Sequence, residues 1–328
     1  MQRLLIIQEN SMMKVSLIVL CLCLFSVLLF ADAGPEPVSV QIDECTLHGT
    51  LEIPQDPGPF PAALIIAGSG PTDRDGNSPL LPGSNDHLKL LAVGLAQNGI
   101  AALRYDKRGI AQSACEGQEE EDLVFEDMVD DAVALIGLLE NDPRVSEIFV
   151  IGHSQGSLVG MLASQKADAD GFVSIAGAGF PIWDIILRQI EPQIPVQLFG
   201  EAKFIVEELK EGRMVNDVNP ALVQLFRPSV QPFLVSYFRY DPREEIAKLK
   251  MPVLVIQGET DIQTNPADAD ALAGANSSAR KKLIAGMNHV LKEAGADQQS
   301  QMRAYTDPTL LLAEGLVEEI VRFVEGIR

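Results

Sequence analysis

The stretch VIGHSQGSLVG, residues 150–160, decides how the rest of the chain is interpreted. A single serine, Ser154, stands between Gly152 and Gly156, after an apolar run and before small residues. A strand that turns directly into a helix needs small residues around the turn, and such a turn holds the serine hydroxyl above the sheet. The same pattern also arises by chance in chains of ordinary glycine content. Two interpretations therefore stay open at this point, a nucleophile or a plain strand-to-helix connection.

Residues 1–33 have the composition of a secretory signal peptide. Lys14 precedes an uncharged apolar run over residues 15–30, and Ala31 and Ala33 occupy the small positions of a cleavage site. The apolar run is only slightly shorter than a membrane-spanning helix, so an uncleaved anchor is the alternative. We expect cleavage, export to the cell envelope or the exterior, and no membrane span in the mature chain unless the signal is retained.

Residues 34–328 are expected to form one domain, because an apolar-rich chain of this length buries a single large core. The whole chain carries a formal net charge of −21. Such an acidic surface disfavours nucleic acids and anionic membranes as partners. Cys45 and Cys115 are the only cysteines in this part of the chain. In an oxidising compartment they can form a disulfide, but their spacing does not decide whether they do.

Apolar runs that alternate with helical patterns predict an α/β fold with a mostly parallel sheet covered on both faces. Two short alternating stretches, PVSVQID and CTLHGTLEI, predict an antiparallel hairpin at the edge of the sheet. An amphipathic pattern predicts a helix over residues 124–140. The runs that predict buried strands are AALIIAG, IAALRYD, EIFVIGH, GFVSIAG, PVLVIQG and KKLIAGM.

The alternation breaks over residues of about 180–245, far beyond the usual connection of about 2 to 6 residues. Helical spacing punctuated by proline predicts a small helical cap inserted into the domain. Its apolar side chains predict that part of the cap covers the cleft above Ser154 and forms an acyl pocket, although packing onto the core is the alternative. These side chains include Ile186, Ile190, Phe199, Phe204, Phe226, Phe233 and Phe238.

Three polar residues follow three of the predicted strands, at the edge of the sheet where function gathers in such folds. Ser154 follows EIFVI, Asp261 follows PVLVI and His289 follows KKLIAG. His289 is the only one of the four histidines that lies C-terminal to Ser154. It is the candidate general base, and Asp261 is the candidate acid that fixes its tautomer and stabilises the imidazolium.

The choice of the acid leaves alternatives. Glu259 lies closer to the end of the predicted strand, and Asp268 and Asp270 follow nearby. Asp261 also stands where it can cap the helix predicted to begin near Pro266. A carboxylate on the loop directly after a strand suits the catalytic role, so Asp261 is preferred and Glu259 is the second choice.

The glycine-flanked serine and the order serine, acid, histidine resemble the α/β-hydrolase family, and the resemblance covers almost all of residues 34–328. RYDKRGIAQS, residues 104–113, is similar to the turn that follows a strand in this family. GSGPTDRDGN, residues 68–77, resembles a subgroup of exported esterases related to the serine aminopeptidase-like branch. The resemblance implies an α/β-hydrolase fold and an acyl-enzyme mechanism at Ser154.

The family also implies an oxyanion hole made of two backbone N–H groups. Gln155, directly after the nucleophile, is expected to supply one donor. Ser69, in the loop after AALIIAG, is expected to supply the other. The family's usual histidine before the glycine of that loop is Ala67 here. This difference weakens the match but does not remove the donor.

Neither a cofactor nor a metal ion is expected. Gly68 and Gly70 lack the third glycine of a dinucleotide-binding fingerprint, since Asp73 stands at its position. The run DRDGN has alternating oxygen ligands that suit calcium. However, Ser78 and Ser84 stand where a calcium-binding loop requires Gly and Glu. Arg74 and Asp75 are instead expected to hold this loop beside the active site.

The sequence therefore predicts an exported serine hydrolase, a carboxylesterase that acts on small-molecule esters. An aminopeptidase-like enzyme or another amide hydrolase of the same fold is the second interpretation. A catalytically silent binding protein that kept the fold is the third. The intact set of serine, acid and histidine argues against the silent protein.

Overall fold

The structure is a computed structural model that describes residues 34–328. The expected signal segment, residues 1–33, lies outside the described residues. The strands are β1 Gly34–Ile42, β2 Cys45–Ile53, β3 Phe60–Ile66, β4 Ala101–Tyr105, β5 Val145–His153, β6 Gly171–Ile175, β7 Val253–Gly258 and β8 Ala279–Ile284. The α-helices are α1 His87–Gln97, α2 Phe125–Glu140, α3 Gln155–Lys166, α4 Ile182–Ile190, α5 Val196–Lys210, α6 Val223–Phe226, α7 Gln231–Tyr237, α8 Pro242–Ala247, α9 Pro266–Ala275, α10 Gln298–Thr306 and α11 Leu316–Glu325.

The strands form one sheet in the order β1-β2-β4-β3-β5-β6-β7-β8. The hairpin β1–β2 is antiparallel, β2 is antiparallel to β4, and every other neighbouring pair is parallel. The predicted mostly parallel sheet with an antiparallel edge hairpin is therefore confirmed. The carboxyl ends of β3, β5, β7 and β8 consequently point to the same edge of the sheet, which brings their loops together.

The sheet is covered on both faces, and this explains why its strands are continuously apolar. Alternate residues of β3 point to opposite faces because side chains alternate along a strand. Ala62 and Leu64 pack with α2 and α3 on one face, whereas Ala63 and Ile65 pack with α1 and α11 on the other. No helix within residues 34–328 is long and apolar enough to cross a membrane.

The segment between β6 and β7 contains the five helices α4 to α8. Much of it packs around a hydrophobic cluster of its own, centred on the fully buried Phe226. Its C-terminal part also reaches the main core. Tyr237 of α7 stacks on Phe125 of α2 with ring centroids 4.2 Å apart, and the Ser236 hydroxyl accepts a hydrogen bond from the Phe125 N–H at 2.8 Å.

A disulfide joins Cys45 at the start of β2 to Cys115 in the loop after β4. The two Cα atoms are 4.6 Å apart, and the cysteines also form an isolated β-bridge. The question that the spacing left open is thus answered. The bond ties the edge hairpin to the loop that contains the RYDKRG motif.

Candidate active site

Ser154 lies between the last residue of β5 and the first residue of α3, in a turn that only small neighbours allow. Its φ is 53° and its ψ is −120°, a conformation that L-residues rarely adopt. A Cβ atom on Gly156 would lie 2.3 Å from the Ile66 carbonyl oxygen, and one on Gly152 would lie 2.3 Å from the Gly156 oxygen. The Ser154 N–H donates to the Ile175 carbonyl at 2.9 Å, which fixes the turn against β6.

His289 and Asp261 form a buried pair at the same edge of the sheet. The imidazole Nδ1 lies 2.8 Å from the Asp261 Oδ2, and the side chains are 6% and 0% exposed respectively. Because the carboxylate accepts from Nδ1–H, the Nε2 of a neutral His289 carries the lone pair. That tautomer is the one a general base requires.

The Asp261 carboxylate is fixed by its own loop as well as by His289. Its Oδ1 accepts from the N–H groups of Gln263 at 2.7 Å and Thr264 at 3.1 Å, and its Oδ2 accepts from the Thr264 hydroxyl at 2.9 Å. Burial opposes ionisation, but His289 and these hydrogen bonds outweigh it and hold the pKa of Asp261 below its usual value. The carboxylate is therefore ionised and oriented at neutral pH.

The other acids considered from the sequence lie elsewhere. Glu259 is exposed, and Asp270 forms a surface ion pair with Lys281. Asp268 accepts hydrogen bonds from the N–H groups of Gly179 and Asn265, both at 3.0 Å. The N-cap of α9 is Asn265, so the capping role considered for Asp261 belongs to another residue.

Ser154 and His289 line one cleft of about 260 Å³. The Ser154 hydroxyl forms no hydrogen bond within residues 34–328. Catalytic hydrogen bonds are often long in ligand-free structures and shorten when substrate binds. The other lining residues are Gly68, Ser69, Gly70, Pro71, Thr72, Gly76, Ser78, Leu80, Leu81, Asn85, His87, His153, Gln263, Val290 and Tyr305.

The two expected oxyanion donors flank Ser154. Gln155 is the first residue of α3, where backbone N–H groups have no partner inside the helix. Ser69 lines the cleft, and its neighbour Gly68 packs on Ser154, since an added Cβ on Gly68 would lie 3.1 Å from the Ser154 Cβ. Among the described residues, neither the Ser69 nor the Gln155 N–H donates a hydrogen bond. Both are free to bind a negative oxygen.

Three of the four histidines meet at this edge of the sheet. The His153 ring lies between those of His87 and His289, at centroid distances of 4.9 and 5.0 Å. Its Nε2 is 2.8 Å from the His289 carbonyl oxygen. Burial, together with the charge on His289, lowers the pKa of His153 to about 3, so this ring is neutral. Its hydrogen bond holds the backbone of His289 in place.

The DRDGN loop uses its charged groups to bind other parts of the protein. Arg74 pairs with Asp106 at 2.5 Å, and Asp75 pairs with Arg104 of β4 at 2.7 Å. The Asp73 Oδ1 accepts from two N–H groups of its own loop, at 2.9 and 2.8 Å. No group of three or more metal-ligating side chains occurs within residues 34–328.

The expectation that the insertion forms the acyl pocket is wrong in this structure. None of the cleft-lining residues comes from residues 180–245. Phe226 and Phe238 are buried inside the insertion's own cluster, whereas Phe204 is 60% exposed. A contact at the rim is nonetheless present, because the Gln189 amide lies 3.5 Å from the Gln263 carbonyl oxygen. The apolar side chains of the insertion pack mainly on one another.

One functional candidate was missed by sequence reasoning. Lys107, inside the RYDKRG motif, is 5% exposed, and its Nζ lies 2.6 Å from the carbonyl oxygens of both Gly68 and Gly70. Arg108 of the same motif pairs with Asp131 of α2 at 2.6 Å. A lysine two residues after an apolar strand is the only signal for Lys107 that the sequence contains.

Comparison with known proteins supports the fold. The sequence profile of the family described as "Serine aminopeptidase, S33" matches residues 80–224. Esterase EstD of Thermotoga maritima is 29% identical over 241 residues, which are 72% of this chain and 55% of that protein. The chain thus spans about half the length of this relative.

Two solved structures illustrate the likeness in three dimensions. Est1E from Butyrivibrio proteoclasticus aligns with a TM-score of 0.57 at 17% identity, covering 89% of this chain and 98% of its own. A proline iminopeptidase from Mycobacterium smegmatis aligns with a TM-score of 0.57 at 15% identity, with the same coverage of 89% and 98%. The chain therefore has the α/β-hydrolase fold, and the fold that its motifs predicted is confirmed.

Proposed function

We propose that this protein of the α/β-hydrolase fold is a carboxylesterase in which Ser154 is the nucleophile. The observation that carries the proposal is the buried Asp261–His289 pair, which shares one cleft with a serine held in a strained turn. A carboxylate, an imidazole and a serine hydroxyl in this order are the groups that acyl transfer requires. The printed name of the relative from Thermotoga maritima, esterase EstD, agrees with it.

The mechanism follows from the placement of these groups. His289 removes the proton of Ser154 as its Oγ attacks the ester carbonyl, and Asp261 stabilises the imidazolium that forms. The negative oxygen of the tetrahedral intermediate binds the N–H groups of Ser69 and Gln155. His289 then protonates the departing alcohol and leaves an acyl group on Ser154. A water molecule, deprotonated by His289, releases the acid and restores the hydroxyl.

The composition of the cleft favours an ester over the substrate of an aminopeptidase. An aminopeptidase binds the protonated amino group of its substrate, and a cation in a partly buried site needs a carboxylate partner. No residue that lines the cleft within the described chain is Asp or Glu. The Asp261 side chain is 0% exposed behind His289, so it does not offer a carboxylate to the substrate.

The apolar part of the ester is proposed to lie in a second cavity of about 400 Å³ next to the cleft. Leu81, Gln263 and Tyr305 line both cavities, so the two lie side by side. Ile262 and Met302 form the outer wall and are 63% and 49% exposed. Exposed apolar side chains beside a catalytic cleft are suited to an acyl or aryl chain.

Export is part of the same proposal. The signal-like composition of residues 1–33 motivates it, and the Cys45–Cys115 disulfide suits an oxidising compartment. The protein is thus proposed to act in the cell envelope or outside the cell.

Two measurements on the chain from residue 34 onward test the catalytic proposal. A fluorophosphonate probe should label Ser154, as located by peptide mass spectrometry, and the Ser154→Ala variant should not be labelled. Ser164→Ala is the matched control, because Ser164 is a buried serine, 4% exposed, of the helix α3 that begins directly after Ser154. Aryl esters should be hydrolysed well above the corresponding aminoacyl arylamides. Faster hydrolysis of the amides would instead establish the aminopeptidase, and absence of labelling would refute the nucleophile.

A further inference from the structure

Lys107 is a buried lysine without a carboxylate partner. It lies two residues after β4 and is 5% exposed, and no Asp or Glu oxygen within residues 34–328 approaches its Nζ within 4.0 Å. Burial lowers the pKa of Lys107 to about 7. Such a group is costly to keep in a fold, and perturbed ionisable groups of this kind cluster at functional sites.

The hydrogen bonds of the Lys107 side chain are confined, within the described residues, to the loop that follows β3. Its Nζ donates to the carbonyl oxygens of Gly68 and Gly70, both at 2.6 Å. The Gly70 carbonyl belongs to the peptide bond with Pro71, which has no N–H. That contact can therefore only anchor the loop. The Gly68 carbonyl, in contrast, belongs to the peptide unit that contains the Ser69 N–H.

This shared peptide unit links Lys107 to the oxyanion hole. The Gly68–Ser69 bond is trans, since Gly58–Pro59 is the only cis peptide found within residues 34–328. In a planar trans peptide, the C=O and the N–H point in opposite directions. Binding of the Gly68 oxygen by Lys107 thus fixes the direction of the Ser69 N–H, which has no acceptor in the described chain and belongs to a cleft-lining residue.

We propose that Lys107 is a positioning residue that orients and polarises the Gly68–Ser69 peptide unit of the oxyanion hole. The inference rests on the proposed esterase function and adds to it a group outside the triad. A donor on a carbonyl oxygen strengthens the N–H of the same peptide as a hydrogen-bond donor. Negative charge on the substrate oxygen develops only in the transition state, so Lys107 should affect kcat and leave KM nearly unchanged.

Lys292 provides a control for a purely structural role. Like Lys107 it is buried, at 0% exposure, and its Nζ donates to a single backbone carbonyl, that of Asp307, at 2.7 Å. It does not line the cleft. Loss of either amine leaves a carbonyl oxygen without its partner, so both variants should melt at lower temperature. Only the loss of Lys107 should weaken binding of the transition state.

The experiment compares Lys107→Met, Lys107→Gln and Lys292→Met. For each variant, kcat and KM are measured with a short-chain aryl ester, and the dissociation constant is measured for an arylboronic acid that forms a tetrahedral adduct with serine. Lys107→Met should lower kcat by about 10² and weaken the boronate by a similar factor, comparable to loss of an oxyanion donor. Its KM should stay within about threefold. Lys107→Gln keeps a donor without the charge and should be intermediate.

Several outcomes would overturn the proposal. It fails if Lys107→Met leaves kcat and boronate affinity unchanged, if it raises KM alone, or if Lys292→Met causes an equal loss. Should Lys107→Met not fold, Lys107→Gln is judged by the same criteria. A wild type that hydrolyses no ester would refute the proposed function. The rate at which a fluorophosphonate labels Ser154 in the wild type and in Lys107→Gln would then still test Lys107, since that reaction also builds charge on an oxygen in the hole.

Discussion

The edge of the sheet around Ser154 and the helical insertion differ in whether their groups already have partners inside the protein. In the insertion, helices α4 to α8, a cluster of large apolar residues is buried around Phe226, which is 0% exposed, whereas others such as Phe204 lie at the surface. At the catalytic edge, Ser154 has a positive φ, and two backbone N–H groups beside it have no acceptor in the described chain. Groups that are already packed have little left to offer a substrate, whereas unpartnered polar groups do.

Buried side-chain nitrogen and oxygen atoms without a hydrogen-bond partner also differ between the insertion and the rest of the described chain. The described chain contains four such atoms, in His87, His153, Ser164 and Thr260. None belongs to the insertion, and two of them, on His87 and His153, are on residues that line the cleft. Because an unpaired buried polar atom is costly, the two atoms on His87 and His153 are groups that a bound water molecule or substrate in the cleft can satisfy.

The largest expected effect is the loss of the nucleophile or the base. Ser154→Ala and His289→Ala should each lower kcat by about 10⁴ or more, and the double variant should lose little more than either alone, because the two groups act as one unit. The losses are measured as initial rates of aryl acetate hydrolysis by the two single variants and the double variant. Losses that multiply would show that the two residues act independently and would contradict a shared mechanism at this edge of the sheet.

The next effect concerns the acid. Asp261→Asn should lower kcat by about 10³ to 10⁴, because an amide cannot hold His289 in the required tautomer while it also accepts from its own loop. Glu259→Gln is the matched control and should retain full activity, since Glu259 is exposed. A near-silent Asp261→Asn together with a severe Glu259→Gln would assign the acid to Glu259.

The sequence predicted the sheet correctly and placed the three triad candidates at one edge of it, because both inferences depend on local patterns. Strands such as β3 are apolar on both faces, as Ala62 and Ala63 show by facing opposite layers. The three candidates lie on the loops that follow strands. The sequence could not show what an apolar residue packs against. Phe226 and Phe204 look alike in the sequence, yet one is 0% and the other 60% exposed. For the same reason, the contact of Lys107 with a distant loop had no visible signature.

The insertion should respond to mutation in stability and not in specificity. Phe226→Ala removes a fully buried ring from its core and should cost about 3 to 5 kcal/mol, if the surrounding helices do not collapse onto the space. The ratios of kcat/KM among acetyl, butyryl and hexanoyl esters should stay those of the wild type. Denaturant unfolding and the ester series, measured on the same preparation, separate the two effects. A changed chain-length profile with unchanged stability would reverse the assignment.

The smallest expected effect lies in the outer wall of the second cavity. Ile262→Ala and Met302→Ala should weaken discrimination between acyl chains by about 1 to 3 kcal/mol, the usual worth of a methylene in an apolar pocket. Short esters, which do not reach this wall, should be hydrolysed as before. Because both side chains are largely exposed, at 63% and 49%, the stability of the fold should change by no more than about 0.5 kcal/mol.

Val196→Ala is the control that compares the two regions directly. Val196 is 81% exposed at the start of α5, so it matches Ile262 as an exposed apolar residue, but it lines neither cavity. Its replacement should leave the chain-length profile unchanged. If Val196→Ala altered the profile and Ile262→Ala did not, the acyl chain would lie against the insertion. The apolar groups of that region would then contact substrate in addition to packing on one another, and the division between the two regions would not hold.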